Sequence, residues 1–232
     1  MFVFRDEVPG GPDVPHGIRV AFTDSTLDVG DRADDDVRRR ALAVLAEATG
    51  AAPVLMRQVH GATVHEVTGT DGPLVDADAL VTRLPGVALL ARAADCVPVL
   101  LADPATGLLG AVHSGRNGVL TGVVTAAVDR MGELGASELR AWIGPHVCGG
   151  CYEVPEEMRD EVAAAVPATR STTTWGTPAL DLGAGVAAQL AAAGVPFTDV
   201  AICTMEDDRV PSHRRDGDRA GRFAGVVWRS PS

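Results

Sequence analysis

The chain has 232 residues, 46% of them hydrophobic and 22% charged, which supplies a sizeable core and excludes bulk disorder. Its 20 basic and 31 acidic residues leave a formal charge of −11. That balance excludes broad binding to nucleic acid or anionic membranes and makes any anion site local. Every basic residue is Arg and no Lys occurs, so Schiff-base and Walker-type chemistry, which need a lysine amine, are excluded as well.

In chain order, Ile18–Phe22 predicts a strand. Asp34–Thr49 predicts a helix. Acids stand at its positive N-terminal end, Val37, Ala41, Val44, Leu45 and Ala48 share a face, and Gly50 ends it. Val54–Val59 and Thr63–Val67 predict strands meeting at a turn around Gly61, with a further turn at Asp71-Gly72-Pro73. Ala79–Thr82, Val87–Ala91, Val97–Ala102 and Leu108–His113 follow as strands, and several are continuously apolar, as in a sheet covered on both faces. Val119–Leu134 predicts a helix, Leu139–Ile143 a strand, Pro155–Val166 a helix and Thr169–Thr177 a polar loop. Leu180–Ala193 predicts a helix closed by Gly194 and Pro196, and Val200–Cys203 and Phe223–Trp228 two late strands. The pattern is mixed α/β (α+β) with mixed strand directions, in a single domain over residues 1–232. The N-terminus lacks a basic region followed by an apolar one, and the apolar run from Gly86 is broken by Arg92 and Asp95. With four cysteines expected as reduced thiols, the reading is a cytoplasmic protein without a leader or membrane span.

Three segments put metal-ligand side chains at strand ends: Gln58-Val59-His60-Gly61, Ala94-Asp95-Cys96-Val97-Pro98 and Ala111-Val112-His113-Ser114-Gly115. Two imidazoles and a thiolate suit Zn²⁺, and three protein ligands leave a fourth position open. The same residues singly also suit a small buried thiol and hydrogen-bonded histidines, and their separations match no compact metal motif. Cys148-Gly149-Gly150-Cys151, with His146 nearby, has CxxC spacing; it reads as an ordinary loop, a redox pair or half of a second metal site. Arg214, Arg215 and Arg222 make a basic island suited to gripping phosphate, or a solvated loop. Gln58, two residues before His60 on the same side of an extended segment, reads as a substrate amide, and Asp95 as a group supporting Cys96. Asp76 and Asp78 read as turn formers or as groups orienting a ligand or water. His16 and His65 read as surface or structural residues.

In order along the chain, QVHG, DADALVT, ADCVPVLLADP, AVHSG, IGPHVCGGCYEV, CT, HRRDG and GR closely resemble the YfiH family. That family is also called the laccase-domain or polyphenol oxidase family and is now described as purine nucleoside phosphorylases. The resemblance implies a layered α-β-β-α sandwich of mixed sheets and a metal site at His60, Cys96 and His113. It implies zinc, with copper as the alternative, while the acidic charge balance speaks against a nucleic-acid or membrane partner. It further implies phosphorolysis of adenosine, inosine, guanosine or methylthioadenosine and deamination of adenosine, so purine nucleosides and phosphate are the expected partners. The sequence departs from the family at His113-Ser114-Gly115-Arg116-Asn117-Gly118, where HAGWRG is usual. Arg116 stands in place of the Trp and is a candidate to supply the missing guanidinium. Ala93 replaces the usual Thr, and His213 the usual aromatic. The expected catalytic set is therefore Cys96, His60, His113 and Asp95, with Gln58, Arg116, Arg214, Arg215 and Arg222 toward substrate. The rival readings are a copper-dependent polyphenol oxidase, a hydrolase with Cys96 as nucleophile, a peptidoglycan editing factor and a non-enzymatic binding module. Six histidines in all are too few for a conventional trinuclear copper cluster beside a His₂Cys site.

Overall fold

The computed structural model describes residues 1–12, 14 and 16–230. In chain order these form β1 (Phe2–Val8), β2 (Ile18–Thr23), α1 (Asp35–Thr49), β3 (Ala52–Val54), β4 (Val64–Glu66), β5 (Ala79–Thr82), β6 (Val87–Ala93), β7 (Val97–Asp103) and β8 (Leu108–Ser114). Then come α2 (Arg116–Thr121), α3 (Val123–Glu133), β9 (Arg140–Ile143), α4 (Glu156–Ala165), β10 (Arg170–Thr172), β11 (Pro178–Leu180), α5 (Leu182–Ala192), β12 (Phe197–Asp199), α6 (His213–Asp216) and β13 (Phe223–Trp228).

Two mixed sheets stack face to face. One has the order β1-β2-β13-β6-β3, the other β12-β9-β7-β8-β5-β4. The parallel pairs lie at edges, β3 on β6, β4 on β5 and β12 on β9, while the central pairs are antiparallel. Alternation along each strand explains the continuous apolar runs. Leu89, Ala91 and Ala93 of β6 enter the core between the sheets, while Ala88 and Leu90 face α1. Leu100 and Ala102 of β7 enter the same central core, while Val99 and Leu101 pack under α3 and α5. A strand with apolar cover on both faces keeps no polar side, and each fully buried Leu or Val contributes about 1.5–3 kcal/mol. Three cores therefore separate four layers, α1, sheet, sheet, and the α2–α5 group, which is the α-β-β-α sandwich. Among the described residues no helix is long and apolar enough to cross a membrane.

Five elements differ from expectation. Phe2–Val8 is a strand where none was predicted; it lies at a sheet edge, so Arg5, Asp6 and Glu7 face solvent and hide its pattern. The strand expected over Val54–Val59 keeps only Val54, the last residue of β3, and runs on as loop with an isolated bridge between Arg57 and Asp76. The helix expected over Val119–Leu134 starts earlier and breaks at Gly122, whose φ of 73° ends α2 and opens α3. The polar segment Thr169–Thr177 holds strand β10 of a hairpin with β11, closed by Thr173 and Thr177 hydroxyls 2.8 Å apart. The late strand expected at Val200–Cys203 lies instead at Phe197–Asp199. Ala201 has φ 53°, with its N–H donating to Asp199, so the chain turns there.

Candidate metal centre

The link from β6 to β7 carries the chain from one sheet to the other, and Cys96 sits on it. His113 is the next-to-last residue of β8, and His60 lies in the loop that leaves β3. One ligand atom from each lies within 4.8 Å of the other two. The two imidazoles meet edge to face, with ring centroids 4.7 Å apart. Three separate segments thus bring the expected ligand set together.

Asp78, at the start of β5, organises the two histidines. It is fully buried. Its carboxylate accepts from the backbone N–H groups of Val59 at 3.3 Å, His60 at 3.0 Å and Gly61 at 2.6 Å, and these bonds hold His60 at its left-handed φ of 59°. The same carboxylate lies 2.9 Å from His113 Nδ1. Burial alone would push Asp78 up, but bonding to His113 and to these backbone groups outweighs it and holds the carboxyl below its ordinary range. An ionised Asp78 makes His113 Nδ1 the donor and leaves Nε2 as a lone-pair ligand. Burial also pushes the His113 imidazole down despite Asp78, so the pair is a hydrogen bond to a neutral ring, not an ion pair.

Cys96 responds to the same surroundings. Burial pushes its thiol up to about 12; the charges of Asp95 and Asp78 push the same way, and Arg222 opposes them. A metal cation at the thiol would oppose that push and favour the thiolate. Gly115 supplies a further fit to a metal. A Cβ there would lie 2.8 Å from His60 Nδ1 and 3.1 Å from Cys96 Sγ. The donors converge where a side chain is missing, and any residue but glycine would intrude on them.

The centre opens into a cavity of about 440 Å³ walled by Gln58, Arg92, Asp28, Asp31, Arg32, His213, Arg219 and Arg222 beside the three ligands, a volume suited to a small organic ligand. Gln58 lies in this wall, but both ends of its amide bond the Arg92 backbone: Nε2 donates to Arg92 O and Oε1 accepts from Arg92 N, each at 2.9 Å. It therefore ties the His60 loop to β6. Arg92, missed in the sequence as a site residue, is almost fully buried. Its guanidinium donates to Met56 O at 2.7 Å and pairs with Asp31. The signal available was a lone charge inside an apolar strand, which must be paired to be tolerated. Arg222 Nη1 donates to Ala220 O and Gly221 O, both at 2.9 Å. Arg32 bridges to Asp218 at 2.8 Å, while Arg219 is exposed on the wall.

Asp95 supports the centre from behind. It is buried at φ 90°, accepts from Thr204 Oγ1 and Ser212 Oγ, each at 2.7 Å, and from Arg214 N at 2.7 Å. It fastens the segment before and through α6 to the Cys96 link. The remaining expected arginines lie elsewhere. Arg215 is spent on Asp216, Thr204 O and Val210 O, and Arg214 stacks over Tyr152 at 4.8 Å. Arg116 opens α2, and none of these three is among the described residues walling the cavity. Cys148 and Cys151 belong to a separate group of ligand atoms.

Comparisons with known proteins give the chain its family. The chain is 47% identical over 236 residues to the Streptomyces griseus protein "Purine nucleoside phosphorylase ORF3", covering 98% of this chain and 93% of that one. It is 47% identical over 241 residues to a Streptomyces coelicolor purine nucleoside phosphorylase, covering 94% and 98%. Among solved structures, YlmD from Geobacillus stearothermophilus superposes with a TM-score of 0.81 at 27% identity, covering 100% of both chains. The family described as multi-copper polyphenol oxidoreductase laccase matches residues 19–230, nearly the whole chain. With that match, and with relatives at this identity along its length, the chain belongs to this family.

Proposed function

We propose that the protein is a metal-dependent purine nucleoside phosphorylase whose cavity also admits methylthioadenosine and deaminates adenosine. The observation that carries this reading is the convergence of His60, Cys96 and His113 beside a cavity walled by arginines. Relatives bearing the phosphorylase name over the same length support it. Zinc fits the donor set and supplies Lewis-acid charge at an open coordination position when bound.

The chain's own residues divide the remaining work. His113 is held neutral and aimed by Asp78, and Gln58 and Arg92 fix the His60 loop. Arg219 and the uncommitted edge of Arg222 face the cavity and present donors to phosphate oxygens. Phosphorolysis joins a phosphate oxygen to the ribose C1′ as the bond to the purine nitrogen breaks, and the departing base takes up a proton. His213 lines the cavity with Nδ1 3.1 Å from Gly217 O, and its other ring nitrogen is the one assigned to such a proton transfer. Deamination exchanges the purine amine for a water oxygen and releases ammonia, so it makes no use of the phosphate donors.

Untagged protein purified without added metal should contain zinc, consume inosine only when phosphate is present and convert adenosine with or without it. Arg219→Ala and Arg222→Ala should raise the KM for phosphate by about 10–100-fold, the loss expected of a charge-assisted bond, and change adenosine deamination less. Cys96→Ala should lose metal at this centre and both activities; full turnover in that variant overturns the assignment. The copper oxidase reading, which the family description favours, predicts instead a coloured copper–thiolate protein that oxidises phenols and leaves nucleosides intact. The cysteine hydrolase reading needs an activated thiol, and Cys96 is pushed the opposite way.

A further inference from the structure

A second cluster of ligand atoms lies apart from the cavity. Cys148, Cys151, Cys203 and Glu206 each offer one ligand atom, and all four atoms lie within 4.8 Å of one another. A tetrahedral zinc with bonds of about 2.3 Å holds its sulfurs about 3.8 Å apart. Closing the four donors onto an ion therefore takes side-chain adjustment, not a backbone rearrangement.

The backbone is shaped for the purpose. Two turns of the same form face each other. In the first, the N–H groups of Cys151 and Tyr152 both donate to Cys148 O at 3.0 Å. In the second, those of Glu206 and Asp207 donate to Cys203 O at 3.1 and 3.0 Å. Each turn puts its first and fourth residue on one side, which supplies two ligands per turn. The turns are locked together by His146 N donating to Ile202 O at 3.1 Å and Thr204 N to His146 O at 3.0 Å. Cys148 N donates to Cys203 Sγ at 3.4 Å, the N–H to sulfur bond that stabilises a thiolate ligand. Cys151 Sγ lies 3.5 Å from a Glu206 carboxylate oxygen, so the thiol and the acid already share a site.

We propose that Cys148, Cys151, Cys203 and Glu206 form a closed structural site for one thiophilic divalent metal, of which zinc is the physiological candidate. Three sulfurs and one oxygen select zinc over magnesium or calcium, which need oxygen-rich shells. A disulfide would use two thiols and leave the third and the carboxylate without a role. Because four protein donors complete a tetrahedron, the site has no open position and its role is to clip two segments together. The clip joins turns 55 residues apart, and it does so beside the first centre: Cys203 precedes Thr204, whose hydroxyl holds Asp95, the neighbour of Cys96. The metal would brace the loop carrying α6 and the cavity wall at His213.

The test uses the intact chain. Cys96→Ala disables the first centre, so cobalt taken up by that variant reports on the second. Titration with Co²⁺ is expected to give one equivalent of tetrahedral cobalt, with strong thiolate-to-cobalt absorption in the near ultraviolet. Adding Cys203→Ser should weaken uptake more than about 100-fold, and adding Glu206→Gln less, since a thiolate ligand contributes more than a carboxylate. Folded Cys96→Ala protein with no thiolate–cobalt absorption overturns the proposal, as does absorption indifferent to Cys203→Ser. Should either variant fail to fold, wild-type protein serves. Metal should shield Cys148, Cys151 and Cys203 from alkylation and a chelator should expose them. Equal alkylation with and without chelator, or a disulfide among these thiols in protein isolated under reducing conditions, overturns it.

Discussion

Asp78 shows how one carboxylate fixes two of the three segments of the candidate ligand set. Its four bonds fix the backbone around His60 and the tautomer of His113. Asp78→Asn keeps the size but replaces one acceptor oxygen with an NH₂ that faces donors. The variant should bind zinc about 10–100-fold more weakly, as expected when the group behind a ligating histidine is lost. It should stay folded at neutral pH with a lower melting temperature. A chelator competition measures the first effect and circular dichroism the second; undiminished zinc affinity would detach Asp78 from the metal centre. The sequence singled out His60, Cys96 and His113 through three motifs at expected strand ends, and the family resemblance made them a candidate ligand set. It left Asp78 between turn chemistry and the orienting of a ligand or water because its partners lie 17 to 35 residues away, and a local pattern carries no sign of such a contact. Arg215 fails for the opposite reason: its place in a basic run suggested phosphate, but neighbouring carbonyls and Asp216 take up its guanidinium.

Among the elements, those buried on both faces were the most legible. Ala79–Thr82 and Phe223–Trp228 have the bounds their apolar runs suggest. Edge and loop elements were not, because β1 and β12 have solvent-facing residues and α6 is a four-residue turn of helix with a charged sequence. Around α6 the chain is held by ion pairs. Bonding to Arg209 holds Asp207 below the ordinary carboxylate range, and bonding to Arg215 does the same for Asp216. A carboxylate lowered in the folded state contributes stability above its unfolded value of about 3.9 and loses it as the pH falls through its folded value. Asp216→Asn should therefore melt below wild type at pH 7, and the gap should close as the pH drops below about 4. Thermal melts of both proteins from pH 7 to pH 3 read this directly. A gap of constant size would make the contribution of Asp216 one of shape, not charge.

At the scale of the whole molecule, the candidate metal centre lies where the chain crosses from one sheet to the other. His60 follows β3 of the first sheet, Cys96 sits on the β6–β7 crossing and His113 lies near the end of β8 of the second. A metal held by all three would fasten the two sheets at one end of the central core. Since the unfolded chain cannot assemble that set, binding stabilises the native state by about 2.7 kcal/mol at a free metal concentration 100 times the dissociation constant. For a chain of this length that corresponds to a rise in melting temperature of roughly 5–10 °C. Zinc added to chelator-treated protein should produce the rise, and Cys96→Ala should lose the part that depends on the first centre. Measuring both proteins across a zinc series separates the centres, because each contributes its own logarithmic dependence on concentration. A zinc series that raises the melting temperature of wild type and Cys96→Ala by the same amount would mean that His60, Cys96 and His113 do not tie the sheets together through a metal.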